Sequence, residues 1–282
     1  MIYGITDIGT NTIRAVVYKK CDDIKVLNEL VFESEILINT VDKNLTDDGI
    51  EKLVNVLNAS VQFFLKNKVD KIHFFATSAM RDIENFSKVN EKVFDECHIN
   101  IELLDENTEI LCDFYGVKLT LSENPTGQAI DLGGGSCQII SFENGEMTSG
   151  KSLKIGVKRL YKMFGGTSVN ELKCYINSEL DKAKIKECEN LYIMGGTSKN
   201  ILATLKILNP QINNSFDAKK LEEVKKVDFS DEKFFKIYEN RVNTIEYGIE
   251  VISEIVKRCK AKTLTVIKSD ARKGYIILKE GK

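Results

Sequence analysis

The stretch Asp7-Ile8-Gly9-Thr10-Asn11-Thr12 returns, 124 residues further on, as Asp131-Leu132-Gly133-Gly134-Gly135-Ser136. Each copy sits between two apolar, β-branched segments, IYGIT and TIRAVVY around the first and GQAI and CQIIS around the second. Two such runs joined by a short polar, glycine-bearing turn spell a β-hairpin. The offset is close to half of the 282 residues. The chain therefore reads as an α/β protein in which one βββαβα unit occurs twice, with a cleft where the two copies of the turn face each other. The lobes are expected at 1–122 and 123–282, meeting near Glu123-Asn124-Pro125-Thr126. The final helix is a candidate to pack back on the first lobe.

The elements around the two turns follow from periodicity. Thr46-Asp47-Asp48 is a helix start, and Ile50, Leu53, Val54, Leu57, Val61, Phe64 and Leu65 then recur at helical spacing. KIHFFATSA reads as a strand ending in small residues, followed by a helix at 85–94, a strand at 99–104 and a helix at 107–121. In the second half, helices are expected at 157–164 and 169–186, a strand at NLYIMGG and a helix at 197–208. Ile245, Ile249, Ile252 and Val256 mark a long amphipathic helix. TLTVIKS gives a last strand and 271–278 a last helix.

Composition narrows the chemistry. Forty basic and 42 acidic residues leave a net charge of −2, which does not point to nucleic acid or a membrane surface as an obligatory partner. No apolar run approaches the roughly 18 residues of a membrane helix, and MIYGITDIGTNTIRA lacks the layout of a signal peptide. The seven cysteines form no CxxC pair and the chain has two histidines, so neither a zinc site nor a Ser-His-Asp triad is expected. Scattered cysteines of this kind read as small hydrophobes in a reducing, cytoplasmic protein.

A strand that ends in Asp and runs into a tight glycine turn presents several backbone N–H groups at one bend. Such a nest holds phosphate oxygens without net positive charge. Glycines 133, 134 and 135 allow close approach, and the hydroxyls of Thr12 and Ser136 add donors. Asp7 and Asp131 beside such loops suit Mg²⁺, bound largely through water. A third loop, Gly195-Gly196-Thr197-Ser198, precedes a helix and makes an anion site by geometry. Gly145 to Ser152 fits GxxxxGK[ST], but Asn144-Gly145 signals a hairpin and the residues after Lys151 alternate like a strand, so the P-loop context is missing. With six arginines among 40 basic residues, Arg14, Arg81 and Arg241 are candidates either to clamp phosphates or to make surface ion pairs.

DIGTNTIRAVVY, ATSAMRDIEN, IELLDENTEILCDFYGV, AIDLGGGSCQII, SLKIGVKRL, MGGTSKNILA and RKGYI together resemble the Ppx/GppA family of exopolyphosphatases and guanosine pentaphosphate phosphohydrolases, within the actin, Hsp70 and sugar-kinase superfamily. The resemblance runs end to end, at the length of the short members. It implies two ribonuclease H-like lobes and hydrolysis of a phosphoanhydride, in polyphosphate or guanosine pentaphosphate, with Mg²⁺ or Mn²⁺ as cofactor. It implies Glu109 as general base, Asp131 as main metal ligand with Asp7 in support, and Asn11, Thr12, Gly133, Gly134, Gly135, Ser136, Gly195, Gly196 and Thr197 around the phosphates, with Arg14, Arg81 and Arg241 on the anionic substrate. A homodimer is an assembly that family members often form. Judged by residue type alone, Glu109 reads first as a solvated residue on a helix face.

The chain departs from the family pattern at three places. Gln138 stands where a second acidic group usually lies, Asp105-Glu106-Asn107-Thr108-Glu109 replaces a Ser-Gly-containing segment, and Asn243 takes a place more often held by Asp. A non-hydrolytic polyphosphate or (p)ppGpp sensor, and an ATP-dependent kinase of the same superfamily, are the competing readings.

Overall fold

The computed structural model describes residues 1–121, 123–238 and 241–281. By packing, the chain forms two units, Met1–Glu109 and Ile110–Lys282.

The first unit opens with strands β1 (Ile2–Ile8), β2 (Thr12–Lys20) and β3 (Ile24–Glu33). A small hairpin of β4 (Thr40–Val41) and β5 (Asn44–Leu45) leads into helix α1 (Asp47–Lys66). Strand β6 (Lys71–Ala76), helices α2 (Ser78–Arg81) and α3 (Phe86–Cys97) and the short β7 (Glu102–Leu103) complete it. The sheet order is β3-β2-β1-β6-β7. Helix α1 starts where Thr46 caps it, its side chain accepting from Gly49 N at 3.2 Å. The expected stripe is the buried one: Ile50, Leu53, Val54, Leu57 and Phe64 pack on Ile8, Ile13 and Val17 of the sheet, whereas Leu65 is exposed.

Helix α4 (Glu106–Lys118) follows. The second unit then repeats the first: β8 (Gly127–Leu132), β9 (Cys137–Glu143), β10 (Glu146–Leu153), α5 (Val157–Phe164), α6 (Val169–Leu180), β11 (Asn190–Met194) and α7 (Gly196–Leu208). It ends with β12 (Ser215–Asp217), a 3₁₀ turn at Ala218–Lys220, α8 (Leu221–Val224), α9 (Glu232–Tyr238), α10 (Ile245–Cys259), β13 (Thr263–Val266) and α11 (Ala271–Glu280). Its sheet order, β10-β9-β8-β11-β13-β12, is that of the first sheet with β12 added at the edge. In both sheets a three-strand antiparallel meander is extended by parallel strands from the side of its first strand. The duplication read from the two turns is thus a duplication of the whole unit, and each copy carries elements beyond βββαβα, among them β7 in the first sheet and β13 in the second.

The division falls inside α4, between Glu109 and Ile110, and not at 122/123. That expected boundary adjoins Ser122, which lies outside the described residues. The reason is packing. Beyond its first turn, α4 buries Ile110, Phe114 and Val117 against Ala129, Ile140 and Phe142 of the second sheet. The final helix α11 lies on α4, with Gly274 set against the Cys112 carbonyl. It therefore reaches back to a helix that precedes residue 122 in sequence, yet both helices belong to the second unit.

Asn144 and Gly145, with φ of 51° and 78°, make the β9–β10 hairpin turn, and Lys151 and Ser152 lie on β10, so the GxxxxGK[ST] match is a hairpin. The expected strand at 99–104 is limited to β7, and the helix expected over 169–186 stops at Leu180, where Asp181 caps it. The elements between α7 and α10 carry too few turns to show periodicity in sequence. Phe216, Leu221, Phe234 and Tyr238 anchor them in the second core. Among the described residues no helix is long and apolar enough to cross a membrane.

Candidate functional site

The two glycine turns have one geometry. Gly9 N donates to Thr12 O at 3.1 Å, and Gly133 N donates to Ser136 O at 3.0 Å. The hairpin registers correspond too: Asp7 faces Arg14 across β1 and β2, and Asp131 faces Gln138 across β8 and β9. Directly opposed cross-strand residues project to the same face. Arg14 and Gln138 therefore hold one position of the repeat. Their 124-residue offset was already in the sequence, but the difference between a cation and an amide hid it.

In the first unit, Ser34 N holds Asn11 O at 3.1 Å, and Arg14 pairs with Glu29 at 3.3 Å. Thr77 N reaches Ile8 O at 3.4 Å, so the strand end that starts α2 lies beside this turn. Arg81, the last residue of α2, donates from Nη1 to Leu104 O at 2.8 Å and from Nη2 to Glu109 Oε2 at 2.7 Å. The two side chains are 17% and 13% exposed, so this is a largely enclosed pair rather than a surface one. Glu109 is held, not solvated. Asp105, four residues earlier in the departing segment, caps α4: Thr108 N donates to its Oδ1 at 2.7 Å. The Thr108 amide and hydroxyl hold the Asp105 carboxyl below its usual range, with Arg81 adding a smaller pull in the same direction.

In the second unit, the start of α5 fastens the glycine turn. Val157 N donates to Gly133 O at 3.0 Å, and Lys158 N and Arg159 N both donate to Gly134 O, at 2.9 and 3.0 Å. Arg159 Nε adds a bond to Gly135 O at 2.7 Å. With these carbonyls tied back, the amides of Gly134, Gly135 and Ser136 find no acceptor among the described residues. Gly156, just before α5, lies flat against the backbone of Gly134, Gly135 and Ser136. Gln138 is 2% exposed, and its Nε2 donates to Ser136 Oγ at 3.0 Å and Ser152 Oγ at 3.2 Å.

The third loop joins this cluster. Gly195 has φ of 91°, a left-handed conformation that favours glycine. A Cβ built there would lie 2.8 Å from Asp131 Oδ1, so the carboxylate rests against the turn. Gly195 gives α7 no side-chain cap, which leaves the first N–H groups of that helix without helical partners. The Arg241 guanidinium lies on Gly196 at the same helix end. Thr197 is 2% exposed, its side chain turned onto Gly248 of α10. It contributes its amide to the loop while its hydroxyl serves packing. Asp131, Gly133 to Ser136, Gly195, Gly196 and Arg241 are thus one assembly within the second unit.

Asp113 is a residue that sequence reasoning missed. It lies one helical turn after Glu109 on α4 and is 2% exposed. Burial, reinforced by the charges of Asp131 and then Asp113, pushes the Cys137 thiol far up. Nothing in a single sequence separates a buried Asp on a helix from an exposed one.

The model of the Ppx/GppA phosphatase family matches residues 33–282. The chain belongs to the Ppx/GppA phosphatase family. The match begins after the first glycine turn, which the structure nevertheless shows to be built like the second. The bifunctional 3-dehydroquinate synthase/phosphatase of Fusobacterium nucleatum is 31% identical over 192 residues, 64% of this chain and 28% of that protein. Exopolyphosphatase 1 of Mycobacterium bovis is 24% identical over 200 residues, 67% of this chain and 58% of that protein. The matched regions thus span under two thirds of those relatives' length. An exopolyphosphatase from Cytophaga hutchinsonii superposes with a TM-score of 0.88 at 19% identity, over 100% of this chain and 99% of that one. The Aquifex aeolicus Ppx/GppA family member gives 0.81 at 21%, with the same coverage. At these identities the two structures share the fold of this Ppx/GppA chain.

Proposed function

We propose that this Ppx/GppA phosphatase hydrolyses a terminal phosphoanhydride of polyphosphate or guanosine pentaphosphate in the cytoplasm, releasing orthophosphate. The observation that carries the reading is Arg241 lying on Gly196 at the uncapped start of α7. A guanidinium beside the positive end of a helix makes a favourable site for an anion between them. The free amides of Gly134, Gly135 and Ser136 supply further donors in the same unit. The seven free thiols suit a reducing compartment.

The donors also suit Mg²⁺. That ion takes one or two carboxylates and completes its shell with water and substrate phosphate, so Asp131 resting in the Gly195 turn is a sufficient anchor, although no group of three His, Cys, Asp or Glu side chains gathers among the described residues. Asp131 would hold it. When bound, it would offset charge on the reacting phosphoryl group. Glu109, oriented by Arg81, would accept the proton of the attacking water. The glycine-loop amides and Arg241 would bind and orient the phosphate oxygens.

Orthophosphate release from polyphosphates of several lengths and from pppGpp, measured with and without Mg²⁺, tests this. Release that exceeds an Asp131→Ala control supports the reading. Tight binding of either ligand by calorimetry with no release sinks it in favour of a sensor.

Gln138 offers a test of the proposed metal site. Its amide donates to two serine oxygens, which leaves both hydroxyl protons to point elsewhere, Ser136's toward a bound phosphate. Gln138→Glu reverses this and sets a second carboxylate opposite Asp131. Half-saturation by Mg²⁺ is expected to fall about tenfold, while the metal-free protein melts at lower temperature. Mg²⁺ titrations of activity and of melting check both; an unchanged Mg²⁺ dependence would place residue 138 away from the ion.

A further inference from the structure

Cys188 stands two residues before β11, and Cys259 ends α10. Sequence gives no hint that they meet, yet several ties hold their segments in register. Cys188 N donates to Cys259 O at 2.9 Å, and Lys262 N and Thr263 N both donate to Glu189 O at 3.0 Å. Lys260 pairs with Glu187, and Lys262 with Glu189 at 3.1 Å. With ordinary backbone lengths on either side, the Cys188–Cys259 amide bond holds the two Cα atoms within about 6.8 Å, inside the span of a disulfide. Gln128, buried beneath the loop, accepts from Lys186 N at 3.1 Å and donates to Lys186 O.

We propose that Cys188 and Cys259 form an oxidation site at which a peroxide closes a reversible intramolecular disulfide. Cys188 is partly exposed and Cys259 is buried, which assigns the order. The Cys188 thiolate attacks one oxygen of hydrogen peroxide; an S–O bond forms, the O–O bond breaks, and the leaving hydroxide takes a proton to become water. Cys259, losing its own proton to water, then attacks the sulfenic sulfur; the S–S bond forms and the second oxygen leaves as water. Sulfur is oxidised and peroxide reduced, two thiols and one peroxide giving one disulfide and two waters. The neighbouring Cys259 thiol, aided by Gln128 and opposed by burial, pulls the Cys188 thiol down to about 7, whereas the Cys188 thiol first and burial second raise Cys259. That difference suits an attacking and a resolving thiol. The other cysteines are differently placed: Cys97, Cys112 and Cys137 are buried, and Cys21 and Cys174 are exposed on separate elements. Strand β11 runs into Gly195, and α10 carries Gly248 against Thr197, so the bond would tie together the two elements beneath the third loop.

The test uses the full chain, reduced and freed of reductant, treated with a small molar excess of hydrogen peroxide and digested without reduction. A linked Cys188–Cys259 peptide lacking two hydrogens, reopened by dithiothreitol, is the expected result. In Cys259→Ser, Cys188 should instead be trapped by dimedone as its sulfenic acid. At pH 7 iodoacetamide should label Cys188 about tenfold faster than Cys21. Should the serine variant fail to fold, the wild-type peptide map decides alone. Oxygen gained at Cys21 or Cys174 while Cys188 and Cys259 stay reduced would overturn the proposal.

Discussion

Glu109→Gln is expected to cut orthophosphate release by about 10²–10⁴-fold, the contribution of a positioned general base. Gln retains an oxygen that accepts from Arg81 Nη2, so the 2.7 Å contact survives as a neutral-acceptor bond. Exchanging a charged acceptor for a neutral one in this enclosed pair costs roughly 1 kcal/mol, a fall in melting temperature of about 2–4 °C for a chain of this size. A large loss of rate with a small loss of stability is therefore the expected signature. Arg81→Ala should behave differently. It removes the group that holds Glu109 together with the substrate contact the family resemblance implies for Arg81, so KM should rise as well as kcat fall. If Glu109 serves only to hold Arg81, the two single variants and the double variant will lose the same activity, and Glu109→Gln will change KM. A double-mutant cycle on kcat separates the two cases.

Why the fold was legible and parts of the site were not comes down to the range of the determining contacts. Residues 7 to 14 contain a complete local instruction: a strand, a turn that needs glycine, and a returning strand whose register the turn fixes. Repeating that instruction at 131 to 138 reveals the duplication without any tertiary information. Glu109 was reachable only through the resemblance, because its burial depends on Arg81 at the end of α2. Asp113, the Arg241–Gly196 approach and the Cys188–Cys259 pair each arise from segments far apart in sequence, and residue type is silent about them. The unit boundary is a further case. A proline and polar residues near 125 look like a linker, yet Ile110, Phe114 and Val117 bury a helix face in the second core, so packing moves the division into α4. The stretch between α7 and α10 stayed unread because its elements are each shorter than the periodicity needed to recognise them.

Gly156→Ala is the second large effect, and conformation does not cause it. Gly156 has φ of −67° and ψ of 147°, which any residue adopts. The constraint is contact: a Cβ there would overlap the backbone of Gly134, Gly135 and Ser136, and backbone cannot swing aside as a side-chain tip can. The turn itself is pinned by Val157 N, Lys158 N and Arg159 N, so the overlap can be relieved only by pulling α5 off the turn or by re-aiming the amides of Gly134, Gly135 and Ser136. Crowding of this kind costs about 1–3 kcal/mol, expected as a melting temperature lower by several degrees. The functional loss should exceed the structural one, because a shift of about 1 Å in groups that orient a substrate costs on the order of 100-fold in rate. Arg159→Gln is the companion variant. It weakens the 2.7 Å tether to Gly135 O without adding an atom near the turn, so activity should fall by about tenfold or less. Gly156→Ala protein that is folded by circular dichroism and as active as wild type would mean that the Gly133 to Ser136 turn does not hold the reacting phosphate, and the assignment of the second unit's loop would have to be abandoned.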